Sequence, residues 1–182
     1  MIMRFSVKLA ALSLGIVATT TQAAGPQTRP QTVAKVDIPR YMGTWYEQVR
    51  LPMRFQDDCV ADVKAQYMLT EKQVVKITNS CRKKDGSIMS ADAEVKKVGH
   101  SGSKLLISFL PKALNWVPVA RSSYWILRLD ENYQTALVGT PNRKYMWVLS
   151  RTPKLDEATL QSYIETAKQQ GYDVSKLVHS VK

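Results

Sequence analysis

Between Thr44 and Arg151 apolar and polar residues alternate in short runs, interrupted at regular intervals by Gly, Asn, Asp, Ser and Pro. A period of two residues is that of an extended strand with one face buried. The runs predict eight strands, over 44–50, 59–69, 73–81, 88–98, 103–109, 122–129, 134–139 and 144–151. Lys84-Asp85-Gly86, Gly99-His100-Ser101-Gly102 and Asp130-Glu131-Asn132 supply the small and polar residues that chain reversals need. Short, evenly spaced strands describe an all-β, antiparallel up-and-down barrel, and eight strands close around room for one small ligand.

After the last strand the period lengthens. Leu160, Tyr163, Ile164 and Ala167 fall at i, i+3, i+4 and i+7, with Asp156 placed as N-cap and Gly171 as the stop. One apolar stripe predicts a C-terminal α-helix packed on the outside of the barrel, and the tail from Tyr172 to Val178 offers a short final strand. Upstream, Asp37-Ile38-Pro39-Arg40-Tyr41-Met42 suits a single helical turn before Gly43 redirects the chain. Residues 24–36, rich in Pro, Gln and Thr, read as a flexible N-terminal arm ahead of one barrel domain over 37–182.

Residues 1–23 follow a different rule. Arg4 and Lys8 precede the apolar run Leu9 to Val17, and Thr21-Gln22-Ala23 forms a small-residue cleavage site, the arrangement of a secretory signal peptide. The run is shorter than the roughly 20 residues of a membrane-spanning helix, so a soluble mature protein is expected. With no cysteine at the cleavage site, the expectation is a free, exported protein of the periplasm or the exterior, without a lipid anchor.

Export changes the reading of the cysteines. Cys59 and Cys81 are 22 residues apart, and a hairpin turn near Thr70 brings them opposite one another to within about a residue. In an oxidising compartment that placement predicts a disulfide, two unpaired core thiols being the competing reading. No metal site is expected, because His100 and His179 lie far apart and no C-x-x-C or H-x-x-x-H spacing occurs. The formal net charge of +11 becomes +9 once Arg4 and Lys8 leave with the leader. The basic residues are scattered along alternating strands, which with export argues against a nucleic-acid partner and leaves a bias toward anionic ligands or membrane surfaces.

Three motifs carry the chain beyond its fold class. Gly43-Thr44-Trp45-Tyr46-Glu47 resembles the G-x-W signature of the lipocalins, set after a one-turn helix as in that family. Tyr124-Trp125-Ile126-Leu127 followed by Asn132-Tyr133-Gln134-Thr135-Ala136-Leu137-Val138 resembles the paired strands around the T-D-Y turn, with Asn132 in place of the usual Asp. Tyr145 to Pro153 resembles the third conserved region, with Arg151 as its basic residue. They occur in order over about residues 36–180, most like the bacterial outer-membrane lipocalins and their apolipoprotein-D-like relatives. The resemblance implies that Gly43, Trp45 and Arg151 are structural, with Arg151 stacked over Trp45 to close one end.

The ligand then enters at the opposite end, where the connections over 51–58 and 110–121 sit in that family. Met53, Phe55 and Trp116 are candidates for an apolar rim, and folding back onto the barrel is an equal alternative. Such a rim also allows peripheral membrane contact. For the wall, setting Arg128 toward water puts Tyr124 and Ile126 outside and Trp125, Leu127 and Leu129 inside. By the same rule Val63, Ala65 and Tyr67 face inward from 59–69, as do Ala136 and Val138 from 134–139. Tyr67 and Tyr124 also carry hydroxyls able to hold a polar head group.

No nucleophile with a partnered base, no G-x-S-x-G, no phosphate loop and no dinucleotide fingerprint occurs, so no catalytic residue and no cofactor is assigned. The expected function is binding, transport or storage of a small apolar ligand of the fatty-acid or lysophospholipid class, without catalysis. An enzyme acting on a lipid, and an interaction protein using its open-end loops, are the alternatives.

Overall fold

The computed structural model describes residues 28–72, 74–109 and 121–181. Helix α1 (Ile38–Tyr41) leads into strands β1 (Gly43–Arg50), β2 (Cys59–Leu69), β3 (Val75–Lys83), β4 (Ile88–Lys97), β5 (Lys104–Ser108), β6 (Arg121–Leu129), β7 (Thr135–Gly139) and β8 (Met146–Ser150). Helix α2 (Glu157–Gln169) and strand β9 (Val178–His179) follow. Each of β1 to β8 is hydrogen-bonded antiparallel to its sequence neighbour, and β1 pairs with both β2 and β8, so the sheet closes on itself. This is the expected barrel, with strand ends within about two residues of those read from the sequence.

Local chemistry sets the ends of these elements. The Asp37 carboxylate accepts the Arg40 amide at 3.3 Å, and Pro39 occupies the first turn of α1. In the β6–β7 turn the Asp130 carboxylate accepts the amides of Asn132, Gln134 and Thr135 at 3.0, 2.7 and 2.5 Å. Asp130 thus supplies the carboxylate of the turn, and the Asn at 132 contributes its backbone amide and carbonyl. Cys59 and Cys81 form the expected disulfide, with Cα atoms 5.5 Å apart.

Two apolar clusters lie on opposite sides of the sheet. The inner one fills the lower half of the barrel with Trp45, Tyr67, Ile77, Leu105, Tyr124, Ile126, Ala136, Val138 and Leu149, among others. The outer one joins the wall at Val49, Leu127, Leu137 and Val148 to Leu160, Tyr163 and Ala167 of α2, so the helix packs outside as expected. Gly139 permits the approach of Tyr172: a Cβ there would run into the phenol ring, whose hydroxyl donates to the Thr140 carbonyl at 2.9 Å.

The segment read as a flexible arm is docked from Thr28 onward. Val33 donates its amide to the Ile126 carbonyl at 3.0 Å, Val36 to that of Ser101 at 2.8 Å, and Gln31 exchanges two bonds with the Gln170 side chain. Pro30 and Val36 are buried. A segment without periodicity can be held by backbone bonds to a neighbouring surface, and that pairing leaves no pattern in its own residues.

Candidate functional site

The floor of the barrel is sealed by charge on aromatic. Arg151 places its guanidinium 3.9 Å above the Trp45 ring and donates to the carbonyls of Thr44, Met42, Arg40 and Tyr133 at 2.9, 2.7, 3.0 and 3.2 Å. A planar fork is the side chain that can reach so many acceptors while lying flat on an indole. Gly43 holds φ at +100°, and a Cβ there would stand 3.1 Å from the guanidinium. Gly43, Trp45 and Arg151 therefore form one closure.

Above the floor stand three buried phenols. Tyr124 is hydrogen-bonded to Tyr41 and to Tyr67, each at 2.9 Å, and Trp45 donates its indole N–H to the Tyr41 carbonyl at 2.9 Å. Burial pushes all three hydroxyls up, Tyr67 to about 12, with Tyr41 raised further by the neighbouring Tyr67 and Tyr124 by both others. They are neutral and partnered with one another.

Higher up, the inward face opens. Cross-strand partners share a face, so Asn79 and Ala91, which pair with each other beside the buried pair Ile77 and Ala93, point into the barrel. Ser122 and Trp147 do so beside Ile107 and Val138. Ala91 is exposed, and Ala65, Asn79, Met89, Ser122 and Trp147 are half-buried, whereas Tyr67, Ile77, Ala93 and Tyr124 below them are buried. The inward positions near the open end are thus less buried than the tyrosine layer below them.

The mouth carries charge. Glu47 pairs with the inward Leu149, and a bulge at Gln48 turns Arg50 inward opposite Trp147. Arg50 meets the Glu47 carboxylate at 3.4 Å and donates to the Gln56 carbonyl at 3.3 Å. Gln56 donates to the other Glu47 oxygen at 3.2 Å, and Ser180 adds a bond at 2.5 Å. Both side chains are buried. Beside them Phe55, Tyr145 and Trp147 form an aromatic stair, with centroids 5.9 and 6.3 Å apart, from the rim to the interior.

Of the residues expected on the wall, Tyr67, Ala136 and Val138 belong to the inner cluster and Ala65 packs against it; Val63 is buried nearby on β2. Leu129 also packs inward. Trp125 and Leu127 do not: Leu127 is in the outer cluster with α2, and Trp125 packs against that cluster under the Lys104 ammonium, 4.7 Å from its ring centre. Tyr124 and Ile126 take the inward positions instead. The cause is a bulge between Ile126 and Arg128, which shifts the register by one residue and inverts the alternation counted from Arg128. Arg128 itself lies outside, stacked 3.9 Å from the Tyr163 ring and bonded to Ser162 and Thr166.

At the rim, Phe55 is 70% exposed whereas Met53 is buried, and Trp116 lies outside the described residues. Sequence reasoning missed Glu47, Arg50 and Trp147. Glu47 shares the parity of Trp45 and was legible from it; Arg50 needed the bulge. Among the described residues no group of three or more His, Cys, Asp or Glu could hold a metal ion, and no helix is long and apolar enough to cross a membrane.

A closed eight-stranded barrel with one outer helix and an Arg-on-Trp floor defines a lipocalin. Residues 36–182 match the model of the lipocalin-like domain family, and the chain belongs to that family. It is 36% identical over 154 residues to temperature-induced lipocalin-1 of Arabidopsis thaliana, spanning 81% of this chain and 80% of the relative. It is 29% identical over 178 residues to the outer membrane lipoprotein Blc of Escherichia coli, spanning 97% and 96%. Insecticyanin from the tobacco hornworm Manduca sexta shares the fold, with TM-score 0.67 over 86% of this chain and 85% of that one at 18% identity. Lipocalins bind small hydrophobic ligands.

Proposed function

We propose that this protein is an exported carrier or scavenger that takes up a single-chain lipid, of the fatty-acid or lysophospholipid class, through the open end and holds its alkyl chain in the upper barrel without chemical turnover. The observation that carries this reading is the set of only partly buried inward residues, Ala65, Asn79 and Trp147, above a sealed floor. Each methylene moved there from water contributes about 0.8 kcal/mol, so a chain of about 16 carbons offers of order 10 kcal/mol gross, enough for micromolar binding after ordering costs. A chain that long outcompetes small metabolites. Val63, Ala65, Trp147 and the aromatic stair are the proposed wall, with Phe55 at the entrance and able to touch a membrane surface.

Native mass spectrometry of protein purified from its own envelope without detergent tests this reading. The expected result is one co-purified lipid per barrel, replaced stoichiometrically by an added lysophospholipid or long-chain fatty acid. Absence of both co-purified and added lipid would remove the carrier reading. The leader-like pattern of residues 1–23 supports export, and amino-terminal sequencing of the envelope protein should find Ala24 first, without incorporated fatty acid.

A further inference from the structure

Strands β1 and β2 are not joined along their whole length. Their ladder runs from the pair Gly43 and Tyr67 to the pair Tyr46 and Lys64, and among the described residues it ends there. Toward the open end β1 pairs with β9 instead, Val49 with His179 and Arg50 with Val178, and Ser180 donates its amide to the Gln48 carbonyl at 2.9 Å. On the other side Asp62, at φ +54° where the β2–β3 register shifts, donates its amide to the Val181 carbonyl at 3.0 Å. Residues 178–181 therefore stand as a stave between β1 and β2. A strand set between two others holds them about 9.5 Å apart, twice the spacing of bonded neighbours, which is wider than an alkyl chain.

The stave is lightly held. His179 and Val181 are exposed, the Asp62 amide is its backbone tie to β2, and the Ser180 hydroxyl meets the Glu47 carboxylate at 2.5 Å. Just before it, Val174 and Leu177 pack against the outer cluster, so the chain is anchored up to Leu177. A segment with few buried apolar contacts and exposed hydrogen bonds opens locally while the rest of the fold stays closed. On the outer surface a recess of about 400 Å³ lies where the β1–β2 ladder ends, lined by Tyr46, Lys64, Ser80, Ile88 and Pro153. Behind the same stretch of wall stand the inward Glu47 and Ala65.

We propose that this seam is a side portal of the barrel, with residues 178–181 as its removable stave. Detachment of the chain from Val178 onward parts β1 from β2 between their last ladder pair and the open end. The alkyl chain of the ligand then passes sideways between the two strands, by way of the outer recess, while its head group stays in water. The β1–β2 ladder below, the floor and the outer helix keep their places. This inference rests on the carrier reading and extends its open-end entrance down one side of the wall.

The test is stopped-flow exchange of cis-parinaric acid, a fluorescent single-chain fatty acid, on the full-length mature protein, with myristate as competitor. Ser180→Pro removes both the amide that Gln48 accepts and the hydroxyl on Glu47. Association and dissociation should both accelerate about tenfold, the value of one or two such bonds, while Kd stays within about twofold because a gate changes both rates alike. Ser80→Trp, on the outer face of β3, fills the recess and should slow both rates several-fold, an effect that entry through the top of the mouth would not show. Circular dichroism and thermal melting establish that the variants are folded. Hydrogen exchange on the unaltered protein needs no variant: the Ser180 and Asp62 amides should exchange at least about tenfold faster than those of the Gly43–Tyr46 ladder. Unchanged rates in Ser180→Pro, unchanged rates in Ser80→Trp, or equal protection of the two sets of amides would each overturn the portal and leave the carrier reading intact. Failure of the unaltered protein to bind either cis-parinaric acid or myristate would overturn both.

Discussion

The Arg151 guanidinium lies 3.9 Å from the centre of the Trp45 ring while its nitrogens reach four backbone carbonyls, so one side chain joins α1, β1 and the β6–β7 turn. Arg151→Lys keeps the charge but loses the planar fork, stranding several carbonyls and the stack. The expected loss is about 2–4 kcal/mol of unfolding free energy. Gly43→Ala should cost about 1–2 kcal/mol, because φ at +100° disfavours any Cβ and the new methyl presses on the same guanidinium. Urea titration followed by circular dichroism measures both, and a loss below 1 kcal/mol for Arg151→Lys would show that the stack does not hold the floor.

Trp125, expected on the wall, and Trp147, which the structure turns inward, should separate cleanly. Trp125→Ala removes a ring from beneath Lys104 beside the helix interface and should lower stability by about 1–3 kcal/mol with lipid affinity unchanged. Trp147→Ala should weaken lipid binding by about tenfold or more through lost contact area. A displacement titration on both variants decides. The reverse outcome would put the ligand on the wrong side of the β6 wall.

The tyrosine layer predicts an alkaline limit. In the folded chain burial raises the Tyr41, Tyr67 and Tyr124 hydroxyls above the value near 10 that they hold when unfolded. The folded state therefore keeps protons that the unfolded state has released. Stability is fully present below about pH 10 and falls as pH rises toward the folded value of about 12 for Tyr67. Absorbance of ionised tyrosine near 295 nm should rise in two phases, the later one coinciding with loss of the circular dichroism signal. A single phase near pH 10 with the fold intact would contradict the burial.

Reduction gives a fourth expectation. The Cys59–Cys81 bond closes a loop of 22 residues, for which restriction of the unfolded chain contributes about 3 kcal/mol. The Cys59→Ser, Cys81→Ser double variant should lose roughly that stability in chemical denaturation and keep its barrel spectrum. No loss would mean that the reduced chain is already held together there by its ladder.

The sequence by itself determined the strand count and the outer helix, because each rests on local periodicity and turn chemistry. The Cys59–Cys81 bond, for which two unpaired thiols were the competing reading, and the Gly43, Trp45 and Arg151 closure, which family resemblance implied, were decided by the tertiary structure. Tertiary structure alone decided which face of β6 looks inward. Alternation propagates orientation only while the register is unbroken, and the bulges at Leu127 and Gln48 each insert one residue that the pattern does not announce. The first exchanged Trp125 and Leu127 for Tyr124 and Ile126; the second brought Arg50 into the mouth beside Glu47. The arm from Thr28 followed the same logic, held by backbone bonds to Ile126 and Ser101 that its own residues do not encode. Fold class survives a one-residue slip, because it depends on how many strands there are. A binding wall does not, because it depends on which side each residue faces.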